Sequence, residues 1–165
     1  MRLRARTPAP RATRSGGAVF NVLGQYFDGG DVLDLYAGTG ALALEALSRG
    51  CAEATCVDAS PEAAAVIARN AETCGLAARV KVVRRKVTDA LPALPPGAFD
   101  LAFVDPPYAE GPGAALEALP RVLRPGATVV AEHDKKAEPA DRYGPLALVD
   151  RRAYGGTGIS IYRME

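Results

Sequence analysis

Strand-length apolar segments alternate with helix-length segments along most of this chain, and that alternation limits the possible folds more than any other feature of the sequence. Five apolar segments fall at 32–37, 54–58, 80–84, 99–104 and 127–131. Strands that alternate with helices form parallel sheets with right-handed crossovers. The pattern therefore predicts an α/β fold with a doubly wound, mostly parallel sheet.

The two ends of the chain depart from this alternation. A short amphipathic helix is predicted within 18–27, ended by Gly29-Gly30, before the first strand. After residue 133 no full helix fits, and the segments 146–149 and 159–162 are predicted to be closing strands. We expect a seven-stranded, Rossmann-like sheet whose C-terminal edge is antiparallel.

Charge separates a basic arm, residues 1–17, from a single domain, residues 18–165. The first 27 residues hold five arginines and no acid, which leaves 15 basic against 19 acidic groups in the rest of a 165-residue chain. A basic arm on an acidic body suits a protein that reaches a phosphate backbone. A solvated, arginine-rich tail is the alternative. The arm positions expected to contact nucleic acid are Arg4, Arg6, Arg11, Thr13 and Arg14.

The apolar segments are all too short to span a bilayer, and no secretory signal fits, so we expect a cytoplasmic protein. Cys51, Cys56 and Cys74 show no C-x-x-C spacing, and the chain has a single histidine. We therefore expect reduced cysteines and no bound metal.

A glycine turn follows the first strand. Gly38-Thr39-Gly40 with Ala43 satisfies G-x-G-x-x-A, and Asp58 ends the second strand, where an acid can accept from both hydroxyls of a ribose. Asp34 would repel a pyrophosphate and attract an ammonium. A cofactor with a nucleoside and an amino-acid end, S-adenosylmethionine, fits these charges. Alternatively, both carboxylates only cap the glycine turn and bind no ligand. A nicotinamide-dependent oxidoreductase would use the same G-x-G-x-x-A turn, but that function does not explain Asp34.

The segment Asp105-Pro106-Pro107-Tyr108 follows the fourth strand directly. The exocyclic amine of a base is a poor nucleophile, and two acceptors for its N–H groups would aim its lone pair at a methyl carbon. The Asp105 carboxylate and the Pro106 carbonyl are candidates for these acceptors. Prolines fix the loop, and Tyr108 offers an aromatic face for an extruded base.

With these motifs, the chain resembles the RsmD family, bacterial enzymes that methylate the N2 amine of a guanine in small-subunit (16S) ribosomal RNA. The resemblance is carried by the entry segment 11–23, the glycine motif and helix over 33–50, the D-P-P-Y segment, Glu132-His133 and Tyr154-Gly155-x-Thr157. It implies a class I S-adenosylmethionine-dependent methyltransferase, a monomer that acts on 16S rRNA within an assembled or assembling subunit. The implied cofactor residues are Asp34, Tyr36, Ala37, Gly38, Gly40, Asp58, Ala59 and Asp105; the implied catalytic residues are Asp105, Pro106, Pro107 and Tyr108, with Tyr108 also contacting RNA.

The chain departs from the family's pattern in two places. Its entry segment lacks two residues after Thr13, with Gly17 in place of a glutamate, and Lys86 stands where the family often has an Asp or Asn near the adenine. Either Asp89 or the backbone of Lys86-Val87 would then hold the adenine. Two alternative functions stay open: an adenine-N6 DNA methyltransferase, for which no target-recognition domain is left over, and a non-catalytic RNA-binding ribosome-assembly module. His133 is expected to be structural.

Overall fold

The computed structural model describes residues 16–24 and 26–165, and its strands form one sheet. Five parallel strands come first: β1 (Asp31–Leu35), β2 (Glu53–Asp58), β3 (Val80–Arg84), β4 (Phe99–Val104) and β5 (Leu123–Asp134). The antiparallel strands are β6 (Arg142–Tyr143), β7 (Leu146–Tyr154) and β8 (Thr157–Met164). The strand order is β3-β2-β1-β4-β5-β8-β7-β6, and the predicted parallel sheet with an antiparallel C-terminal edge is confirmed. Within the described residues the two-residue β6 brings the strand number to eight instead of the predicted seven.

Helices cover both faces of the sheet. The helices are α1 (Gly16–Leu23), α2 (Ala41–Ser48), α3 (Pro61–Thr73), α4 (Val87–Ala90) and α5 (Gly113–Ala118). Helices α1, α2 and α3 share one apolar core with the sheet, and α4 and α5 share the other. Because both faces are buried, the central strands are almost continuously apolar rather than alternating.

Local signals set several element boundaries. Helix α3 begins as predicted, with Pro61 at its first position and the Ser60 hydroxyl accepting from the Ala63 N–H at 3.2 Å. Helix α1 differs from the prediction: it begins at Gly16 and ends at Leu23, well before Gly29-Gly30, because Gly24 adopts a left-handed φ of 109°. The chain beyond it then lies against the end of α2, where the Phe27 N–H donates to the Arg49 carbonyl at 2.7 Å.

Strand β5 is longer than the predicted segment 127–131, since it continues to Asp134 by pairing with Thr157 of β8. The arm residues Arg4, Arg6, Arg11, Thr13 and Arg14 lie outside the described residues. Within residues 16–24 and 26–165, no helix is both long and apolar enough to cross a membrane.

Candidate functional site

A cavity of about 620 Å³ opens at the carboxyl edge of the parallel strands. Strand order reverses there between β1 and β4, and open α/β sheets bind ligands at such a crevice. Six of the predicted site residues line the cavity: Tyr36, Asp58, Ala59, Asp105, Pro106 and Pro107. Asp34, Ala37, Gly38, Gly40 and Tyr108, also predicted, lie outside its lining.

The glycine turn requires glycine for conformational and steric reasons. Gly38 and Gly40 have φ values of 60° and 78°, in the region that disfavours side chains. A Cβ at Gly40 would also lie 3.2 Å from Ile67 Cγ2 of α3. The turn thus brings the N-terminus of α2 close to the end of β1.

Asp34 lies beneath this turn. Its side chain is 2 % exposed, and its carboxylate accepts from the Ala43 N–H, in the first turn of α2, at 3.2 Å. Burial raises the pKa of Asp34 well above its ordinary value, and the nearby charges of Asp105 and Asp58 raise it further. The described contacts are those of a helix cap, one of the two alternatives left by the sequence, and attraction of an ammonium stays a prediction.

Asp58 ties the end of β2 to the glycine turn. One carboxylate oxygen accepts from the Gly38 N–H and the other from the Ser60 N–H, both at 2.9 Å. The side chain is half-buried on the cavity wall, and each oxygen keeps a lone pair for a further donor. Its binding of ribose hydroxyls stays a prediction that this geometry permits.

Tyr36 forms another part of the wall and is held in an unusual conformation. It has a φ of 59°, in the left-handed region that a bulky residue rarely adopts. Burial raises the pKa of Tyr36 to about 12, and the nearby carboxylate of Glu110 raises it in the same direction. Glu110 was not predicted from the sequence, since it lies in the loop after the D-P-P-Y segment and carries no motif of its own.

The end of β3 supplies the remaining wall through Lys86, Val87 and Thr88. Asp89 is exposed and lies outside the lining. Of the two alternatives for holding an adenine, the cavity therefore favours the backbone at Lys86-Val87.

The D-P-P-Y segment closes the cavity beside β4. The Pro107 carbonyl accepts from the Glu110 and Gly111 N–H groups at 3.0 and 3.1 Å, which folds the loop into a tight turn. Among the described residues, no backbone N–H donates to the Pro106 carbonyl. Asp105 is half-buried on the same wall, and Pro106 next to it also lines the cavity, so the two predicted acceptors are neighbours there.

Tyr108 directly follows Pro107 of the cavity wall but is not itself part of the lining. Its ring is 51 % exposed, and its hydroxyl is hydrogen-bonded to the Thr157 hydroxyl at 2.7 Å. Thr157 begins β8, directly after the turn from β7. The closing Y-G-x-T motif thus contacts the D-P-P-Y motif, a contact that the sequence did not predict.

Glu132 is a second site residue that was not assigned from the sequence. It is half-buried in β5, and its carboxyl is hydrogen-bonded to that of Asp105. Burial and the Asp105 charge raise the pKa of Glu132 to about 8. The sequence shows that Glu132 is a polar residue at the end of a buried strand. It does not show that Asp105, 27 residues earlier in the chain, is the partner of Glu132.

His133, next in the strand, points into the fold. It is 2 % exposed, with one ring nitrogen 2.8 Å from the Ser160 hydroxyl and the other 2.8 Å from the Asp134 carbonyl. These contacts are structural. All three cysteines are free, and no group of three or more His, Cys, Asp or Glu within the described part of the chain is arranged to hold a metal ion.

Comparison with known proteins finds a family that covers nearly the whole chain. The sequence model described as "Conserved hypothetical protein 95" matches residues 4–163. A Bacillus subtilis (strain 168) protein named "Putative rRNA methyltransferase YlbH" is 36 % identical over 159 residues, which are 93 % of this chain and 86 % of that protein.

Solved structures share the fold. A conserved hypothetical protein from Streptococcus pyogenes is 38 % identical and superimposes with a TM-score of 0.84, covering 90 % of this chain and 94 % of that one. An RNA methyltransferase from Salinibacter ruber, solved with S-adenosyl-L-homocysteine, is 16 % identical with a TM-score of 0.69, covering 94 % and 93 %. The second likeness concerns the fold alone, which is that of class I methyltransferases.

Proposed function

The chain belongs to the Conserved hypothetical protein 95 family, the RsmD family, and from this membership we propose that it methylates the N2 amine of a guanine in small-subunit rRNA with S-adenosylmethionine. An rRNA methyltransferase is the coarser activity that the family and its Bacillus relative support. That the acceptor is an exocyclic base amine rests above all on one observation: Asp105 and Pro106 are neighbours at the wall of the cavity, followed by the exposed Tyr108. The guanine N2 position, rather than adenine N6, is what membership of the RsmD family implies.

The cavity residues fit the cofactor. Asp58 presents a carboxylate from the end of β2, which suits ribose hydroxyls, and Lys86 and Val87, whose backbone would face an adenine, line the same cavity. Asp58 and Asp105 line the cavity and give this edge negative charge that favours a cationic ligand. When bound, S-adenosylmethionine supplies a methyl group on a positively charged sulfur.

The chain's own groups would prepare the acceptor. The Asp105 carboxylate and the Pro106 carbonyl accept hydrogen bonds from the two N–H groups of the amine, and these hydrogen bonds turn the nitrogen lone pair toward the methyl donor. The ring of Tyr108 stacks on the extruded base. As the new N–C bond forms, the nitrogen becomes acidic, and its proton passes to Asp105 or to water.

The expected partner is 16S rRNA in an assembled or assembling subunit, and the basic arm would contact its phosphates. The predicted cytoplasmic location follows from this substrate. Counterion release makes such binding fall steeply as salt rises. RNA affinity that does not change with salt would remove the proposed role of the arm's arginines.

The test is transfer of labelled methyl from S-adenosylmethionine to unmodified 16S rRNA, to small subunits assembled from it, and to duplex DNA, with the product nucleoside identified by mass spectrometry. N2-methylguanosine in either RNA sample is the expected result. Methyladenine in DNA would instead support the adenine-N6 alternative. Cofactor binding without transfer to any of the three would support the non-catalytic module.

A further inference from the structure

The carboxyl groups of Asp105 and Glu132 meet at the ends of two neighbouring parallel strands. In the register of β4 and β5, Val104 lies beside Ala131, so the next residues of both strands are Asp105 and Glu132. This adjacency lets the two carboxyl groups interact, and Asp105 raises the pKa of Glu132 through its charge and through a shared hydrogen bond. Two carboxylates have only acceptors, so one member of this pair must carry a proton.

The surroundings assign that proton to Glu132. Glu132 lies two residues after Val130, on the same face of β5, and faces Ile159 of β8 in register. Those neighbours are apolar, and the pKa of Glu132 is raised to about 8, whereas an exposed glutamate titrates near 4.5. At neutral pH Glu132 is therefore an acid that donates to Asp105.

Few other titratable groups bear on Glu132. Among the described residues, Asp105 is the charged group that raises its pKa. The ring of His133 is bonded to Ser160 and to the Asp134 carbonyl, and the described core side chains of α1, Val19 and Phe20, are apolar. Asp34 acts on Asp105 from the other side, at the end of β1.

We propose that Glu132 is a positioning residue, whose protonated carboxyl donates a hydrogen bond that fixes the Asp105 carboxylate with one oxygen turned to the substrate amine. The proposal rests on the acceptor role of Asp105 in the proposed function. The proposal assigns one oxygen of Asp105 to the Glu132 donor and the other to an N–H of the base. The neutral form of Glu132 also avoids placing a second anion directly beside Asp105.

This arrangement makes transfer sensitive to pH. As pH rises through about 8, Glu132 loses its proton, the hydrogen bond is lost and the two carboxylates repel each other. The rate of methyl transfer should therefore fall above pH 8 because Glu132, which does not itself react, loses its proton. Glu132→Gln keeps a donor that does not titrate, and Glu132→Ala removes it.

The first experiment needs no RNA. The full chain is labelled with ¹³C at its glutamate carboxyls and titrated by NMR, with Glu132→Gln identifying the resonance of Glu132. A midpoint near 8 is expected. A midpoint near 4.5 overturns the proposal, whatever the protein methylates.

The second experiment compares pH profiles of methyl transfer for the wild type, Glu132→Gln, Glu132→Ala and Glu117→Gln, an exposed control in α5. We expect Glu132→Gln to keep most of its activity at pH 7 and to lose the fall above pH 8. Glu132→Ala should lose about tenfold or more in kcat at pH 7, with cofactor affinity kept. A Glu132→Gln profile that still falls like that of the wild type overturns the proposal, whereas a wild type that transfers no methyl to RNA overturns only the proposed function.

Discussion

The hydroxyl oxygens of Tyr108 and Thr157 lie 2.7 Å apart, although the two residues are 49 positions apart in the chain. The bond joins the loop after β4 to the start of β8, on the far side of β5 in the sheet order. It fixes a half-exposed aromatic ring beside the cavity. The antiparallel edge thereby takes part in forming the surface that would receive a base.

Thr157→Val keeps the shape of the side chain and removes this hydrogen bond. We expect methyl transfer to RNA to fall about two- to tenfold, the effect of one hydrogen bond, mainly through a higher KM. Tyr108→Phe should have a similar effect, and the double variant should lose little more, because both changes break the same bond. Fully additive losses in this cycle would show that the bond does not matter for substrate binding.

Asp105→Ala removes one of the two proposed acceptors for the amine. We expect transfer to fall about a hundredfold or more, since an interaction made in the transition state is lost. Calorimetry with S-adenosylmethionine should still detect binding. Transfer at the normal rate would show that Asp105 is not an acceptor for the substrate.

Asp58→Ala removes both the tie to the glycine turn and the proposed ribose contact. The dissociation constant for S-adenosylmethionine should rise about tenfold or more, because charge-assisted hydrogen bonds are lost. Glu72→Ala, an exposed acid of α3 outside the cavity lining, is the matched control and should leave the constant unchanged. Equal affinities for the two variants would place the ribose elsewhere.

Stability should fall as pH rises, because the folded state keeps a proton on Glu132 that the unfolded chain releases. The native pKa of about 8 lies above the ordinary value of 4.5, so the native state binds more protons between these values and the free energy of unfolding declines across them. Buried Asp34, with its raised pKa, acts in the same direction. Urea unfolding of Glu132→Gln and the wild type should give similar midpoints near pH 5, with the variant more stable above pH 8; parallel curves would contradict this.

Gly158→Ala should destabilise the fold next to the site. A Cβ at Gly158 would overlap the ring of His133, which is held by Ser160 and cannot move aside without losing that bond. Overpacking of this kind costs about 1–3 kcal/mol. Gly156→Ala has open space around it and is the control, so thermal unfolding of the two variants separates crowding from a general intolerance of alanine in this turn.

Much of the frame could be predicted from local sequence. The bounds of β3 and β4 match the predicted segments, because short apolar runs flanked by turn residues carry their own boundaries. The predicted end of α1 was wrong. Both Gly24 and Gly29-Gly30 can end a helix, and only packing against α2 decides which of the two glycine positions does so. Strand β5 was predicted too short because its last residues are ordered by pairing with β8.

The sequence by itself determined the mostly parallel sheet with its antiparallel end, and it placed Asp58 and Asp105 at the carboxyl ends of their strands, because periodicity and turn residues act over a few positions. Only the tertiary structure decided which side chains meet there. Glu110 on Tyr36, Glu132 on Asp105 and Thr157 on Tyr108 are pairs of polar groups from different elements. Their contacts depend on strand register and on loop paths, which are set by the packing of the whole sheet and leave no periodic trace in the chain.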